Sequence, residues 1–102
     1  KLINGEYFNP LLYQNNKSRA YLTTGEATSL AYIIYKAKGT FYDAEENAVS
    51  SIKSTRNLVD VSLIASEFQK TYNKDLQTYL QSFLELENYT TILNHIKQLR
   101  KF

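Results

Sequence analysis

The sequence predicts an all-α protein: a compact five-helix bundle preceded by an irregular N-terminal arm. Three observations predict it. From residue 25 onward apolar side chains recur at three- and four-residue intervals in five successive segments, the spacing that lays one apolar stripe along an α-helix. No run alternates apolar and polar residues long enough to build a strand. Most segments are bounded by side chains that start or stop helices. The length of 102 residues, with 43% of them apolar, suits one domain with one core and no staples.

Residues 1–24 form the arm. Asn4-Gly5, Asn9-Pro10 and Asn15-Asn16 are closely spaced turn signals, and between them lie Leu2-Ile3, Tyr7-Phe8, Leu11-Leu12-Tyr13 and Tyr21-Leu22. Neither helical nor strand periodicity is sustained. Solvated linkers do not carry this many large apolar groups, so the arm must pack on something: its own helical domain or a partner chain.

Residues 25–102 are the helical domain. In the first helix Ala27, Leu30, Ala31, Ile34 and Tyr35 share one face. Thr24 is the expected N-cap, and Gly39 closes the helix as a left-handed residue. Lys36 and Lys38 suit the negative end of its dipole. The second helix opens at Asp43, a capping residue with Glu46 three positions on; it is short, with Ala48, Val49 and Ile52 inward, and ends near Lys53. Asn57 or Thr55 caps the third, whose inward residues are Leu58, Val61, Ile64, Ala65, Phe68 and Tyr72. Asn73 ends it, because Asn tolerates the left-handed conformation. The fourth carries Leu76, Leu80, Phe83 and Leu84. A polar interval, Glu85 to Asn88, separates it from the fifth, with Tyr89, Ile92, Leu93, Ile96 and Leu99 inward and Lys97, Arg100 and Lys101 at its end.

Composition narrows the chemistry. Without cysteine there is no disulfide framework, thiolate metal site or Cys nucleophile, although the redox compartment stays open. His95, the only histidine, falls at the edge of an apolar stripe and has no triad or metal-site partner at suitable spacing. Asp43, Glu45 and Glu46 stand where a helix start favours negative charge, which accounts for them without acid–base work. Glycines at 5, 25 and 39 cannot form a phosphate-cradling loop. The expectation is a protein that is not an enzyme. Net charge is +2, with +3 over residues 1–42 and −1 over 43–102, too mild an asymmetry for a nucleic-acid footprint. The longest apolar runs, such as Tyr32-Ile33-Ile34-Tyr35, are too short for a membrane span or a signal peptide. A start at Lys1 rather than Met reads as a processed product or a piece of something longer.

One constellation resembles a known family. Lys36-Ala37-Lys38-Gly39-Thr40 is similar to the Lys-Gly-x-Gly-Thr loop between the first two helices of an annexin repeat. Asp43 and Glu45 follow, similar to the family's Asp-Glu but displaced by Phe41-Tyr42. Phe68, Tyr72, Asp75-Leu76 and Leu80 resemble the series across its third and fourth helices, and Ile92-Leu93 and Ile96 its last. The resemblance spans residues 26–100, one repeat of a family that normally carries four. It extends to the single-repeat domains that bacteria and their phages attach to envelope and virion proteins. It implies a calcium loop at Lys38, Gly39 and Thr40. Calcium takes roughly six to eight oxygen ligands, including a carboxylate. In the family that carboxylate stands at the end of the fourth helix, where this chain has Phe83 and, nearest, Glu85 and Glu87. Ala37 also replaces the loop's first glycine. The favoured expectation is therefore no metal and no cofactor.

Tyrosine is abundant, at nine residues, and combines contact area with a polar tip. The expected function is a non-catalytic structural or protein-interaction module of a bacterial or phage virion assembly; the compartment stays open, with a virion or bacterial envelope favoured over free cytoplasm. Tyr7, Phe8, Leu11, Leu12 and Tyr13 of the arm and the adjacent Phe41 and Tyr42 are its partner-binding candidates. The alternatives are a calcium-assisted membrane-surface module and a cell-wall-targeting domain of an envelope enzyme. Nucleic acid is not expected as a partner, and membrane contact is disfavoured.

Overall fold

A computed structural model describes residues 8–102 of the chain. The elements are α1 (Leu11–Asn15), a 3-10 turn (Lys17–Arg19), α2 (Thr24–Ala37), α3 (Glu45–Lys53), α4 (Leu58–Tyr72), α5 (Leu76–Phe83) and α6 (Leu86–Gln98). Five of these helices, α2 to α6, are the five expected from periodicity, and no strand occurs among the described residues. The arm is not wholly irregular. Asn9 accepts the Leu11 amide on its side chain at 3.0 Å, Pro10 presets the first turn, and Asn16 closes the single helical turn of α1 on the Leu12 carbonyl.

The helix ends show what local chemistry does. Thr23, one residue before the expected cap, begins α2 with a reciprocal capping box: its hydroxyl takes the Glu26 amide while Glu26 takes its own. Asn57 caps α4 and Asp75 caps α5 through their side chains, and Asn73 ends α4 at φ 54°, ψ 41°. Asp43, in contrast, does not cap α3. The helix starts at Glu45 with no side-chain cap, because Asp43 is committed elsewhere. The polar interval also shrinks: α6 begins at Leu86, its first turn held by a side chain of another helix. Glu45 Oε1 accepts the Glu85 amide at 2.8 Å and the Asn88 side-chain amide at 2.9 Å. These bonds, that of Asn88 first, hold the Glu45 carboxyl below its ordinary pKa.

At the centre lies α4. The sequence marks one inward stripe, yet every residue from Leu58 to Ala65 is buried, Val59 and Leu63 included. The reason is enclosure: α2 packs along one side, α1 and the arm along another, and α5 against its far end. α3 lies against α2 and α6. The pair α3 and α6 runs parallel, since Glu45 meets the start of α6 and Thr55, just past the end of α3, meets His95. Tyr35, Phe68, Tyr72, Tyr79 and Phe83 form a continuous aromatic cluster joining α2, α4 and α5, with Tyr35 and Tyr72 stacked at 4.0 Å.

The enclosed helix carries polar residues that serve the arm. Asp60 is wholly buried, and its carboxylate accepts three main-chain N–H groups: Tyr21 at 2.8 Å, Leu22 at 2.9 Å and Arg56 at 2.9 Å. Ser62 accepts the Tyr13 amide at 2.8 Å and donates to the Asn9 carbonyl, and Asn57 donates to the Arg19 carbonyl at 2.8 Å. An irregular segment laid on a core must find partners for its backbone groups, and these three side chains supply them. The last turn of the chain joins this region: Leu58 donates its amide to the Arg100 carbonyl at 2.9 Å.

Candidate functional site

The connection from α2 to α3 is the most exposed aromatic feature of the described residues. After Ala37 the chain leaves the helix through an extended Lys38 and returns so that the Ala44 amide donates to the Ala37 carbonyl at 2.8 Å. Inside that closure the Gly39 amide donates to Asp43 Oδ1 at 2.9 Å. The conformation expected of Gly39 is corrected here. No described glycine has a positive φ; position 39 excludes a side chain because a β-carbon there would overlap the carbonyl oxygen of Tyr42. The loop is thus pinched at its neck, and its tip, Phe41 and Tyr42, stands 96% and 83% exposed. Between tip and the last turn of α2, at Lys36 and Ala37, lies a shallow open pocket of about 330 Å³.

The surroundings hold this loop in place. Lys38 donates to Ser82 Oγ at 3.0 Å and sits 5.5 Å from the Tyr79 ring centroid, tying the neck to the end of α5. Tyr79 in turn donates its hydroxyl to the Tyr35 carbonyl at 2.7 Å. Burial, with Tyr35 and Asp43 as nearby oxygen charges, raises the Tyr79 pKa and keeps the phenol protonated as a donor. Leu86, at the first turn of α6, is also exposed; through the contact of Glu45 with Glu85 it belongs to the same end of the bundle.

The expected site residues separate. Phe41 and Tyr42 lie together on the exposed tip. Phe8 belongs to the core at 2% exposure, which removes it from any contact surface because the domain itself uses it. Leu12 and Tyr13 are half-buried against that core, and Leu11 faces outward. Tyr7 lies outside the described residues. Of the calcium-loop candidates, Lys38 turns its ammonium to Ser82, Gly39 gives its amide to Asp43, Thr40 is exposed, and Glu85 gives its amide to Glu45. Among the described residues no three histidine, cysteine or carboxylate side chains are grouped as a ligand set. His95 is half-buried, with Nε2 3.0 Å from Thr55 Oγ1. That hydroxyl already donates to the Ile52 carbonyl, so it accepts from histidine, which fixes the Nε2–H tautomer. Desolvation pushes the His95 pKa down.

Sequence reasoning missed Asp60, Ser62 and Asn57 as organisers of the arm. The available signal was Val59 and Leu63, apolar residues off the expected stripe, which mark a helix covered on every side. Neither a family model, nor a curated protein, nor a solved structure matches this chain.

Proposed function

We propose that this domain is a non-catalytic protein-interaction module of a bacterial or phage assembly, and that the Phe41–Tyr42 loop is its contact. The supporting observation is the pairing of near-complete exposure at the tip with a neck held by the Gly39–Asp43 and Ala44–Ala37 bonds. Two large aromatic rings in water add nothing to the fold, while a loop held in one shape loses little entropy on docking. Aromatic anchors of this kind carry a large share of binding energy at protein interfaces. The competing use of the loop, calcium-assisted membrane contact, has less support. The two carboxylates nearest the neck, Asp43 and Glu45, already accept N–H groups of the chain itself.

The test is site-specific photo-crosslinking in the native assembly. A photoreactive residue at Phe41 is expected to capture a second polypeptide, and one at exposed Gln69 on α4 to capture none. Equal yields from the two positions, or none from position 41, would overturn the proposal.

A further inference from the structure

The opposite end of the bundle carries a different surface. Residues 14–25, 47–59 and 88–102 contain no acidic residue, and the fold brings all three segments together around the start of α4. Asn57 joins the first to the second through the Arg19 carbonyl, and Leu58 joins the second to the third through that of Arg100. Lys17, Arg19, Lys53, Arg56, Arg100 and Lys101 therefore converge, all six exposed. Asp60, the described side-chain carboxylate bonded into this region, is wholly buried and taken up by main-chain amides. The one ion pair among the described residues, Lys70 with Glu67, involves none of the six.

Aromatic rings are interleaved with this charge. Arg56 lies 5.6 Å from the centroid of Tyr21, which is 58% exposed, and Arg19 lies 4.8 Å from that of Phe102, which is 41% exposed. Exposed cations with no ion-pair partner among the described residues call for a polyanion, and exposed rings beside them offer platforms on which unpaired bases stack. The described segments that bear them are a 3-10 turn, the α3–α4 connection and the stretch after α6, none of them a helix projecting to enter a duplex groove. The other end of a second copy is a poorer match. That end does carry exposed carboxylates at Glu46, Glu85 and Glu87, but Lys36 and Lys38 lie at the same end, and carboxylates offer no flat face to the exposed Tyr21 and Phe102 rings.

We propose that the surface formed by the 3-10 turn, the α3–α4 connection and the residues after α6 binds single-stranded nucleic acid, phosphates on the cations and bases on Tyr21 and Phe102. The mild charge asymmetry of the linear sequence conceals it, because the cations come from three segments far apart along the chain. This surface is distinct from the Phe41–Tyr42 loop, and either can fail alone.

The test is fluorescence anisotropy of the whole chain with a labelled oligothymidylate of about 20 nucleotides. Binding is expected to weaken steeply between about 50 and 200 mM salt. R19E/R56E, and separately K53E/K101E, are expected to lower affinity at least about tenfold, whereas K70E/K74E, an equal charge change elsewhere, lowers it less than about twofold. Tyr21→Ala is expected to cost about fivefold or more, with circular dichroism unchanged for every variant. No binding at low salt, or equal loss from K70E/K74E, would overturn the proposal. So would equal affinity for a base-free phosphodiester oligomer with no response to Tyr21→Ala.

Discussion

The arm and the α2–α3 loop look alike as sequence: short, aperiodic, turn-bearing and rich in aromatic residues. In the folded chain they have opposite fates. Most of the arm's described apolar groups go to the domain: Phe8 enters the core, and Leu12, Tyr13, Ala20 and Leu22 lie against it. Only Leu11 and Tyr21 stay exposed, and α4 answers the arm's backbone through Asn57, Asp60 and Ser62. The loop answers its own backbone, Gly39 to Asp43 and Ala44 to Ala37, and leaves Phe41 and Tyr42 in water. The contrast teaches that apolar content does not identify a contact surface. What identifies one is apolar area that remains after the chain's own packing and hydrogen bonding are satisfied.

The largest way to break this contrast is at Asp60. Replacing it with Ala strands three amides at a buried site, and the expected loss is about 3–5 kcal/mol in urea denaturation. A loss below about 1 kcal/mol would mean that the arm is not held through α4. Next is Gly39→Ala, where the added methyl meets the Tyr42 carbonyl and the neck must open. About 1–3 kcal/mol is expected, with a change in the amide resonances of residues 38–44 in NMR spectra. Ser62→Ala removes one donor and one acceptor from the arm and is expected to cost about 1–2 kcal/mol, with faster hydrogen exchange at Tyr13.

A smaller effect follows from His95, whose pKa is lowered in the folded chain by desolvation. The unfolded chain therefore takes up the proton first as pH falls. Stability is full above the ordinary histidine value of about 6.5 and declines below it, and His95→Gln is expected to flatten that part of the profile. The smallest effect is expected at the loop tip. Phe41→Ser with Tyr42→Ser is expected to shift stability by less than about 0.5 kcal/mol in the same denaturation assay. A large loss there would erase the contrast, since the rings would then belong to the fold.

Much of this was legible along the chain. The five helices follow from the spacing of residues such as Ala27, Ala31 and Ile34, or Leu76, Leu80 and Phe83, because helical periodicity is a local property. Asn57 as a cap and Asn73 as a left-handed stop are likewise local. Glu45 is different: it holds the start of a helix 40 residues away in sequence through the Glu85 amide, and no neighbour of Glu45 announces it. Phe41 and Tyr42 were legible as adjacent aromatics in a connection, but Phe8 looked the same and is buried.

By itself, then, the sequence determined where the five long helices run and that their stripes must meet, since each stripe is set by residues within a turn or two of one another. Only the tertiary structure decided that α4 is enclosed, that Asp60 faces a folded-back arm, that Gly39 is required by a carbonyl and not by its own φ, and that cations from three segments share one surface. Those outcomes depend on distances between residues far apart in the chain, which periodicity and capping do not encode.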